Sequence, residues 1–153
     1  MALPSKLAIA VVKCDTECIA LARLGFGEAR GWPSTDDAAC MWTALNRKAQ
    51  NPKRYGRTIN EVCLRRYAYS CFGDGGHLPA VLHPEHAEPK AWAKMQALAA
   101  GVLAGKVPDE TAGATHYVAK WLYDSPKCPG WARAPGVVAL QLGPHVFLKG
   151  RAL

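Results

Sequence analysis

The sequence predicts an α+β fold in which helices dominate and a small antiparallel β-sheet comes near the C-terminal end. Two features support this prediction. Stretches with helix caps and apolar periodicity fill roughly the first two thirds of the chain. Short β-branched and aromatic runs, separated by Gly and Pro, fill most of the rest. The length of 153 residues suits a single domain over 1–153, which can bury a core and still carry a cleft.

The first predicted helix starts near residue 16 and carries Glu28 at its end. Asp15 or Thr16 can cap its start, because both side chains accept hydrogen bonds from the first turn of a helix. We expect the helix to end near Glu28, because Gly31 and Pro33 cannot sustain it.

Three further helices are predicted after this one. The stretch "STDD" (34–37) is a capping box ahead of "AACMWTALNRKAQ", and "TINE" (58–61) is another ahead of "VCLRRYAY". Pro89 starts the longest predicted helix, and Gly105 can close it.

The strand signals come last. They are "ATHYVAKW" (114–121), "GVVALQL" (136–142) and "HVFLKG" (145–150). Runs of this length, set off by Gly and Pro, predict a small antiparallel sheet.

Composition and charge narrow the class of protein. Half of the residues are hydrophobic and 20% are charged, with no repeat, so the chain folds rather than staying disordered. The formal net charge of +7 favours a polyanionic partner. Nucleic acid, an acidic membrane and an anionic cell envelope all fit the charge alone.

No stretch of the sequence predicts stable insertion into a membrane. Crossing a bilayer takes about 20 consecutive apolar residues, and no run here approaches that length. We interpret "KLAIAVV" (6–12) as part of the fold, with an uncleaved export signal within 1–14 as the alternative. The protein is therefore expected to be made in a cytoplasm.

The cysteines predict core packing rather than a disulfide framework. No Cys-x-x-Cys pair is present, and free thiols are among the most buried side chains. The six are Cys14, Cys18, Cys40, Cys63, Cys71 and Cys128.

A second group of possible metal ligands lies in "HPEHAE" (83–88). Its candidates are His83, His86 and Glu88, but the neighbouring prolines interrupt any regular helical face. We expect neither a metal site nor a cofactor.

Glu28 is the acid with the strongest case for chemistry. If the first helix continues to it, Leu21 and Leu24 lie on the same side, and the acid sits at the rim of the apolar face. A carboxyl group in a partly buried place keeps its proton to higher pH than a solvated one, as a general acid must. Lysozyme-like enzymes use a single such acid to protonate a glycosidic oxygen. A solvated surface glutamate is the alternative.

Six short motifs carry a resemblance to a known family. They are "ARLGFGEARG" (22–31), "ALNRK" (44–48), "YSCF" (69–72), "GATHYV" (113–118), "PGWA" (129–132) and "LGPHVF" (142–147). In this order they resemble the cell wall hydrolase family of the spore cortex-lytic enzymes, which also includes phage endolysins. The resemblance covers about 19–149. It implies a lysozyme-like catalytic domain that cuts the glycan strands of peptidoglycan.

The resemblance also implies roles for individual residues. Glu28 matches the family's catalytic acid, and Ser70 and Tyr117 match polar positions that line its cleft. The other residues that match the pattern, as candidates for substrate binding, are Asn46, Arg47, His116, Trp131 and His145. The chain departs from the family at Ala68 and Tyr69, where Gln-Phe is common, and in the longer link "AKWLYDSPKC" (119–128).

Structural roles are the alternatives for these residues. Asn46 and Arg47 could satisfy carbonyl groups or pair with Asp36 or Glu61. The ring of Trp131 could belong to the core instead of stacking on a sugar.

The histidines have alternatives as well. His145 could hold a strand turn in place by hydrogen bonding. Because side chains alternate along a strand, we expect at most one of His116 and Tyr117 to face the substrate, with Tyr117 preferred.

The absence of a second convincing acid suggests the reaction. Hydrolytic glycosidases usually carry two carboxylates across the bond, whereas Asp36 and Asp37 lie at a helix N-terminus that stabilises them without any catalytic duty. A single acid suits a lytic transglycosylase, in which Glu28 protonates the oxygen between N-acetylmuramic acid and N-acetylglucosamine and the muramyl 6-hydroxyl closes an anhydro ring.

The expected protein is thus a monomeric endolysin with peptidoglycan as its partner. It accumulates in the host cytoplasm until lysis and then reaches the cell wall. A hydrolytic muramidase or an amidase is the alternative within wall cleavage. A basic nucleic-acid-binding module is the alternative of another class, supported by "NPKRYGR" (51–57) and "LRRYAY" (64–69), although no nucleic acid partner is expected.

Overall fold

A computed structural model describes residues 3–29, 36–151 and 153 of the chain. The predicted helix stop at Gly31 and Pro33 and the Ser34–Thr35 half of the first capping box lie outside these residues. The architecture is α+β with helices dominant, as the sequence predicts.

Helices form most of the described part of the chain. They are α1 (Lys6–Cys14), α2 (Glu17–Ala29), α3 (Asp37–Gln50), α4 (Pro52–Tyr55), α5 (Ile59–Leu64), α6 (Leu78–Leu82), α7 (Pro84–Ala87), α8 (Pro89–Leu103) and α9 (Lys120–Tyr123). Two 3₁₀ turns cover Ser70–Phe72 and Gly130–Arg133.

Local capping explains where several helices start and stop. Thr16 Oγ1 accepts the N–H of Ile19 at 3.2 Å at the start of α2, and Thr58 Oγ1 accepts the N–H of Glu61 at 3.1 Å in α5. Gly105, with φ +71°, follows the end of α8, as a left-handed helix stop requires.

The third predicted helix is shorter than the sequence suggests. It ends at Leu64 rather than continuing through "RRYAY", because Arg65 takes an extended conformation with ψ 140°, and Tyr67, with a left-handed φ of 60°, then turns the chain. This turn lets Tyr69 enter the core, where it is 4% exposed.

Helix α2 lies at the centre of the helical core. It packs most extensively against α8 and also contacts α3, α5 and α6. Arg23 fixes it further, because its buried guanidinium pairs with Asp15 at 2.9 Å and donates to the Val81 carbonyl at 2.8 Å. The core therefore holds both faces of the helix that carries Glu28.

The three strands are β1 (His116–Ala119), β2 (Val138–Leu142) and β3 (His145–Lys149). They form an antiparallel sheet in the order β1-β3-β2. This confirms the predicted sheet, although the first strand stops at Ala119 and the chain turns at once into α9. Strand β3 is central, and β1 has a free edge.

The cysteine prediction holds for five of the six thiols, since the half-buried ones also pack against the hydrophobic core. The structure has all six as free thiols; Cys40, Cys63 and Cys71 are buried, and Cys18 and Cys128 are half-buried. The prediction of core packing is wrong for Cys14, which is exposed because it ends α1 on the face opposite the buried Ala8 and Val12.

The stretch "KLAIAVV" (6–12), which we interpret as part of the fold, lies in α1. The side chain of Ser5 caps this helix and accepts hydrogen bonds from the N–H groups of Leu7 and Ala8. In the part of the chain that the structure describes, no helix has the length and apolar character needed to cross a membrane.

Candidate active site

A cleft of about 640 Å³ opens where the end of α2 meets the free edge of β1. Helix α9, the segment 68–71 and the start of β3 complete its walls. The predicted site residues that line it are Glu28, Arg47, Ser70, His116, Tyr117, Trp131 and His145. The fold thus brings together all of the predicted site residues except Asn46.

Glu28 is the penultimate residue of α2 and is half-buried. Among the described residues that line the cleft, it is the only carboxylate. Its Oε1 atom is buried and accepts no hydrogen bond from the described chain. A buried oxygen without a donor is the arrangement expected of a group that interacts with a ligand or a proton.

A glycine next to Glu28 allows the cleft floor to approach α2. A Cβ atom on Gly27 would lie 2.7 Å from Cys71 Cβ and 2.8 Å from its Sγ. Only glycine permits this distance, so the turn Ser70–Phe72 packs directly against the end of the helix. The motif "GFGE" therefore holds Ser70 and Glu28 in one cleft.

Groups that stay neutral at neutral pH surround the acid. Burial raises the pKa of the Cys71 thiol, and the negative charge of Glu28 raises it further. Burial and the charge of Glu28 likewise raise the pKa of Tyr117, whose buried hydroxyl has no hydrogen-bond partner among the described residues. Both side chains therefore keep their protons and can act as donors.

Both rings of β1 line the cleft, although they lie on opposite faces of the strand. Tyr117 packs between Tyr69 and His145, with ring centroids 6.3 and 5.2 Å away. His116 packs near Trp131, 5.6 Å between centroids. Because β1 is an edge strand, the cleft follows its free edge and admits side chains from both faces, so strand alternation does not separate the two candidates.

His116 is held neutral. Burial, together with the charges of Arg47 and Arg54, lowers its pKa from 6.5 to about 3. Its Nδ1 lies 2.9 Å from Thr115 Oγ1.

Arg47 is buried and supports the cleft wall. Its Nε donates to the Thr115 carbonyl at 2.5 Å, and its guanidinium lies 4.8 Å from the ring centroid of Tyr69. Arg47 therefore satisfies a carbonyl group, which was the alternative role proposed from the sequence. It also lines the cleft.

Asn46 does not line the cleft. Its amide donates to Asp109 Oδ2 and to the Ala114 carbonyl, both at 2.9 Å, and so fixes the loop that precedes β1. This side chain therefore positions the loop that leads into β1. Direct contact between Asn46 and substrate stays a prediction.

His145 joins the sheet to the start of α3. Its Nδ1 lies 2.5 Å from Oδ2 of the buried Asp36, 109 positions away in the sequence. The possible ligand atoms of Asp36, Cys40 and His145 lie within 4.8 Å of one another. Carboxylate, thiolate and imidazole are a donor set suited to zinc, although burial and the charge of Asp36 raise the pKa of the Cys40 thiol.

The stretch "HPEHAE" forms a separate, exposed group. The possible ligand atoms of His83, Glu85 and His86 lie within 4.8 Å of one another, whereas Glu88 is not part of the group. This group lies outside the lining of the cleft.

The cleft also contains two ring side chains that were not predicted as site residues, His77 and Trp121. Trp121 lies on α9 and is 73% exposed. The available signal is its position in "AKWLYDSPKC" (119–128), the link that the resemblance marks as longer than usual. This link supplies an aromatic ring at the rim of the cleft.

Together the fold and the cleft define a helix-rich α+β protein with one acid at the edge of an aromatic-lined cleft. The family model described as Cell Wall Hydrolase matches residues 32–148. This is more than half of the chain, so the chain belongs to the cell wall hydrolase family, and peptidoglycan is its substrate. No curated protein and no solved structure matches the chain. The matched range starts after Glu28, so the case for this acid rests on its geometry.

Proposed function

We propose that the protein cleaves peptidoglycan glycan strands between N-acetylmuramic acid and N-acetylglucosamine, with Glu28 as the general acid. The observation that carries this proposal is the buried Oε1 of Glu28, which has no hydrogen-bond donor among the described residues and lies in a cleft with no other described carboxylate. A general acid has to reach the leaving oxygen. Among the described residues that line the cleft, Glu28 is the only one with a carboxylate.

A lytic transglycosylase mechanism fits the distribution of acids. Asp36 is buried behind His145, and neither Asp36 nor Asp37 lines the cleft. In the proposed reaction Glu28 gives its proton to the glycosidic oxygen as the C1–O bond breaks. Its carboxylate then takes the proton of the muramyl 6-hydroxyl as O6 bonds to C1, so the acid is regenerated and no water is consumed.

The neighbours of Glu28 supply binding groups for the sugar. Tyr117 keeps its hydroxyl proton and has no partner for it among the described residues, so it can donate to an N-acetyl or ring oxygen. Ser70 is exposed at the start of its turn and offers a hydroxyl from the opposite wall. The exposed ring of Trp121 and the half-buried ring of Trp131 can stack on sugar faces.

The biological setting that we propose is host-cell lysis by a phage-type endolysin. The protein would act as a monomer, accumulate in the host cytoplasm and reach the wall once the membrane opens. The net charge of +7 supports this role, because peptidoglycan carries peptide carboxylates and often lies beside other anionic polymers.

A hydrolytic muramidase and a zinc amidase are second candidates. The Asp36–Cys40–His145 group favours the amidase, since its donor types suit zinc and His145 lines the cleft. An amidase would release free peptides and leave the glycan uncut.

The test is digestion of purified sacculi by the parent protein and by Glu28→Gln. We expect new glycan ends from the parent and a loss of about 10²–10⁴-fold in their rate of appearance with the variant. Glu88→Gln, which changes an exposed acid without a side-chain cap bond, is the matched control and should keep the parental rate. Equal rates for Glu28→Gln and the parent, with both proteins folded, would show that Glu28 is not the acid.

A further inference from the structure

A basic groove of about 520 Å³ continues from the cleft. Its two walls share Arg47, Ala68, His116 and Trp131 with the cleft. The rest of its lining comes from three places that are apart in the sequence, and it consists of Arg54, Tyr55, Arg65, Arg66, Tyr67 and Leu153. No acid occurs among the described residues that line it.

Two arginines of the groove are fixed to the main chain. Arg47 donates to the Thr115 carbonyl, and Nη1 of Arg54 donates to the Leu153 carbonyl at 2.7 Å. These contacts satisfy single N–H groups, and neither guanidinium pairs with a side-chain carboxylate in the described part of the chain. Burial lowers the pKa of His116, and the positive charges of Arg47 and Arg54 lower it further. The groove therefore has a positive potential.

Arg65 and Arg66 are exposed and form no ion pair within the described chain. They also border a neighbouring hollow that contains Asp15 and Glu61. Both of these acids have other partners, since Asp15 pairs with Arg23 and Glu61 accepts the Arg57 N–H at 2.6 Å. The two guanidinium groups are thus available to an anion that enters the groove.

We propose that the basic groove binds the carboxylates of the peptide stem on the muramic acid residue that occupies the cleft. The inference rests on the proposed function, because the groove meets the cleft at His116 and Trp131 and a sugar held beside Glu28 would carry its stem there. Arginine forks suit carboxylates, which they bind through two parallel hydrogen bonds.

The same groove is where a nucleic acid would have to bind, since both Arg- and Tyr-containing stretches converge on it. Single-strand binding needs exposed rings on which successive bases stack. Tyr55 is 9% exposed and Tyr69 4%, which leaves Tyr67 as the exposed tyrosine of these stretches. The rings and the continuity with the cleft favour the peptide stem.

The kinetic test compares sacculi-derived glycan strands with and without their peptides. The variant is Arg65→Gln/Arg66→Gln, and the matched control is Lys90→Gln/Lys94→Gln, which removes the same charge from exposed positions on α8. We expect the arginine variant to raise KM for peptide-bearing strands about tenfold, with KM for stripped strands within about twofold of the parent and the control unchanged on both. An equal rise on both substrates, or an equal rise with the control, would overturn the proposal.

A binding measurement separates failure of this inference from failure of the proposed function. NMR signals of the His116 and Trp131 rings are followed while a synthetic stem peptide with free carboxylates is added. We expect shifts with the parent protein, and none with the Arg65→Gln/Arg66→Gln variant or with a carboxyl-amidated peptide. No shift with the free peptide would overturn the groove assignment even if glycan cleavage occurs. Tighter binding of a labelled single-stranded oligonucleotide than of the peptide, lost in the same variant, would overturn it in favour of nucleic acid.

Discussion

At the scale of single residues, the site depends on what surrounds Glu28. Gly27 brings Cys71 against the helix, and Tyr117 closes the other side with a protonated hydroxyl. Hydroxyl and thiol groups that stay neutral place no competing charge beside the acid. Neither of these neighbours forms an ion pair with the acid.

Replacing Gly27 tests the close approach that forms the cleft floor. Gly27→Ala places a methyl group 2.7 Å from Cys71 Cβ, so the turn at Ser70 must move. We expect a loss of about 1–3 kcal/mol in the free energy of unfolding, as for other overpacked positions, and a lower rate on sacculi. Denaturant unfolding measures the first effect. Gly76→Ala, whose Cβ would meet nothing within 4 Å, is the control and should change neither quantity.

His116 predicts a pH dependence of stability. Its pKa is about 3 in the folded protein against 6.5 as its ordinary value, so the unfolded chain binds more protons between these values. Stability contributed by the neutral ring is present above pH 6.5 and is lost as the pH falls toward 3. We expect Tm to fall between pH 7 and pH 4, and to fall less in His116→Gln. A ring signal of His116 that titrates near pH 6.5 in NMR would contradict this expectation.

At the scale of elements, α9 forms part of the rim of the cleft. It places Trp121 in the same lining as Pro129 and Trp131, and the residue is 73% exposed. A large exposed ring at a cleft rim is typical of a surface that binds a ligand. We propose that α9 forms a sugar-binding edge of the cleft.

Truncating that ring should weaken substrate binding without changing the chemical step. We expect Trp121→Ala to raise KM on sacculi about tenfold, the loss of one stacking contact of about 1.5 kcal/mol, with kcat kept. Initial rates over a range of substrate concentrations provide the measurement. Leu140→Ala, which alters an exposed apolar side chain on β2 outside the cleft, should leave KM at the parental value.

Elements with local signals were predictable from the sequence, and those set by packing were not. Caps such as Thr58 and the stop at Gly105 act within a few residues, so the starts of α5 and the end of α8 follow from the sequence. The short helices α4, α6, α7 and α9 have no such periodicity, because one or two turns bury too few residues to show a pattern. Tertiary contacts define them.

The site shows the same division. Glu28 could be predicted from its place at a helix end. The contact between His145 and Asp36 could not, because 109 positions separate them and only the fold brings them together. The convergence of Arg54 with Arg65 and Arg66 on one groove is hidden for the same reason.

At the scale of the whole molecule, the proposed chemistry needs only the protein's own side chains. We therefore expect lysis of permeabilised cells to continue in excess reductant and in chelator, since the structure has free thiols and the proposed proton transfer uses Glu28 alone. Turbidity assays with and without each reagent check this. If chelator instead removed the lytic activity, zinc restored it and Cys40→Ser had none, the chemistry would belong to the Asp36–Cys40–His145 group.

The most direct test of the central claim is mass spectrometry of the muropeptides released from purified sacculi, before and after borohydride reduction. If Glu28 protonates the leaving oxygen and its carboxylate then takes the 6-hydroxyl proton as O6 bonds to C1, the products carry 1,6-anhydro-N-acetylmuramic acid ends. These ends are one water lighter than muramidase products and resist borohydride. Reducible muramic acid ends would contradict the transglycosylase mechanism, and free peptides beside uncut glycan would contradict glycan cleavage itself.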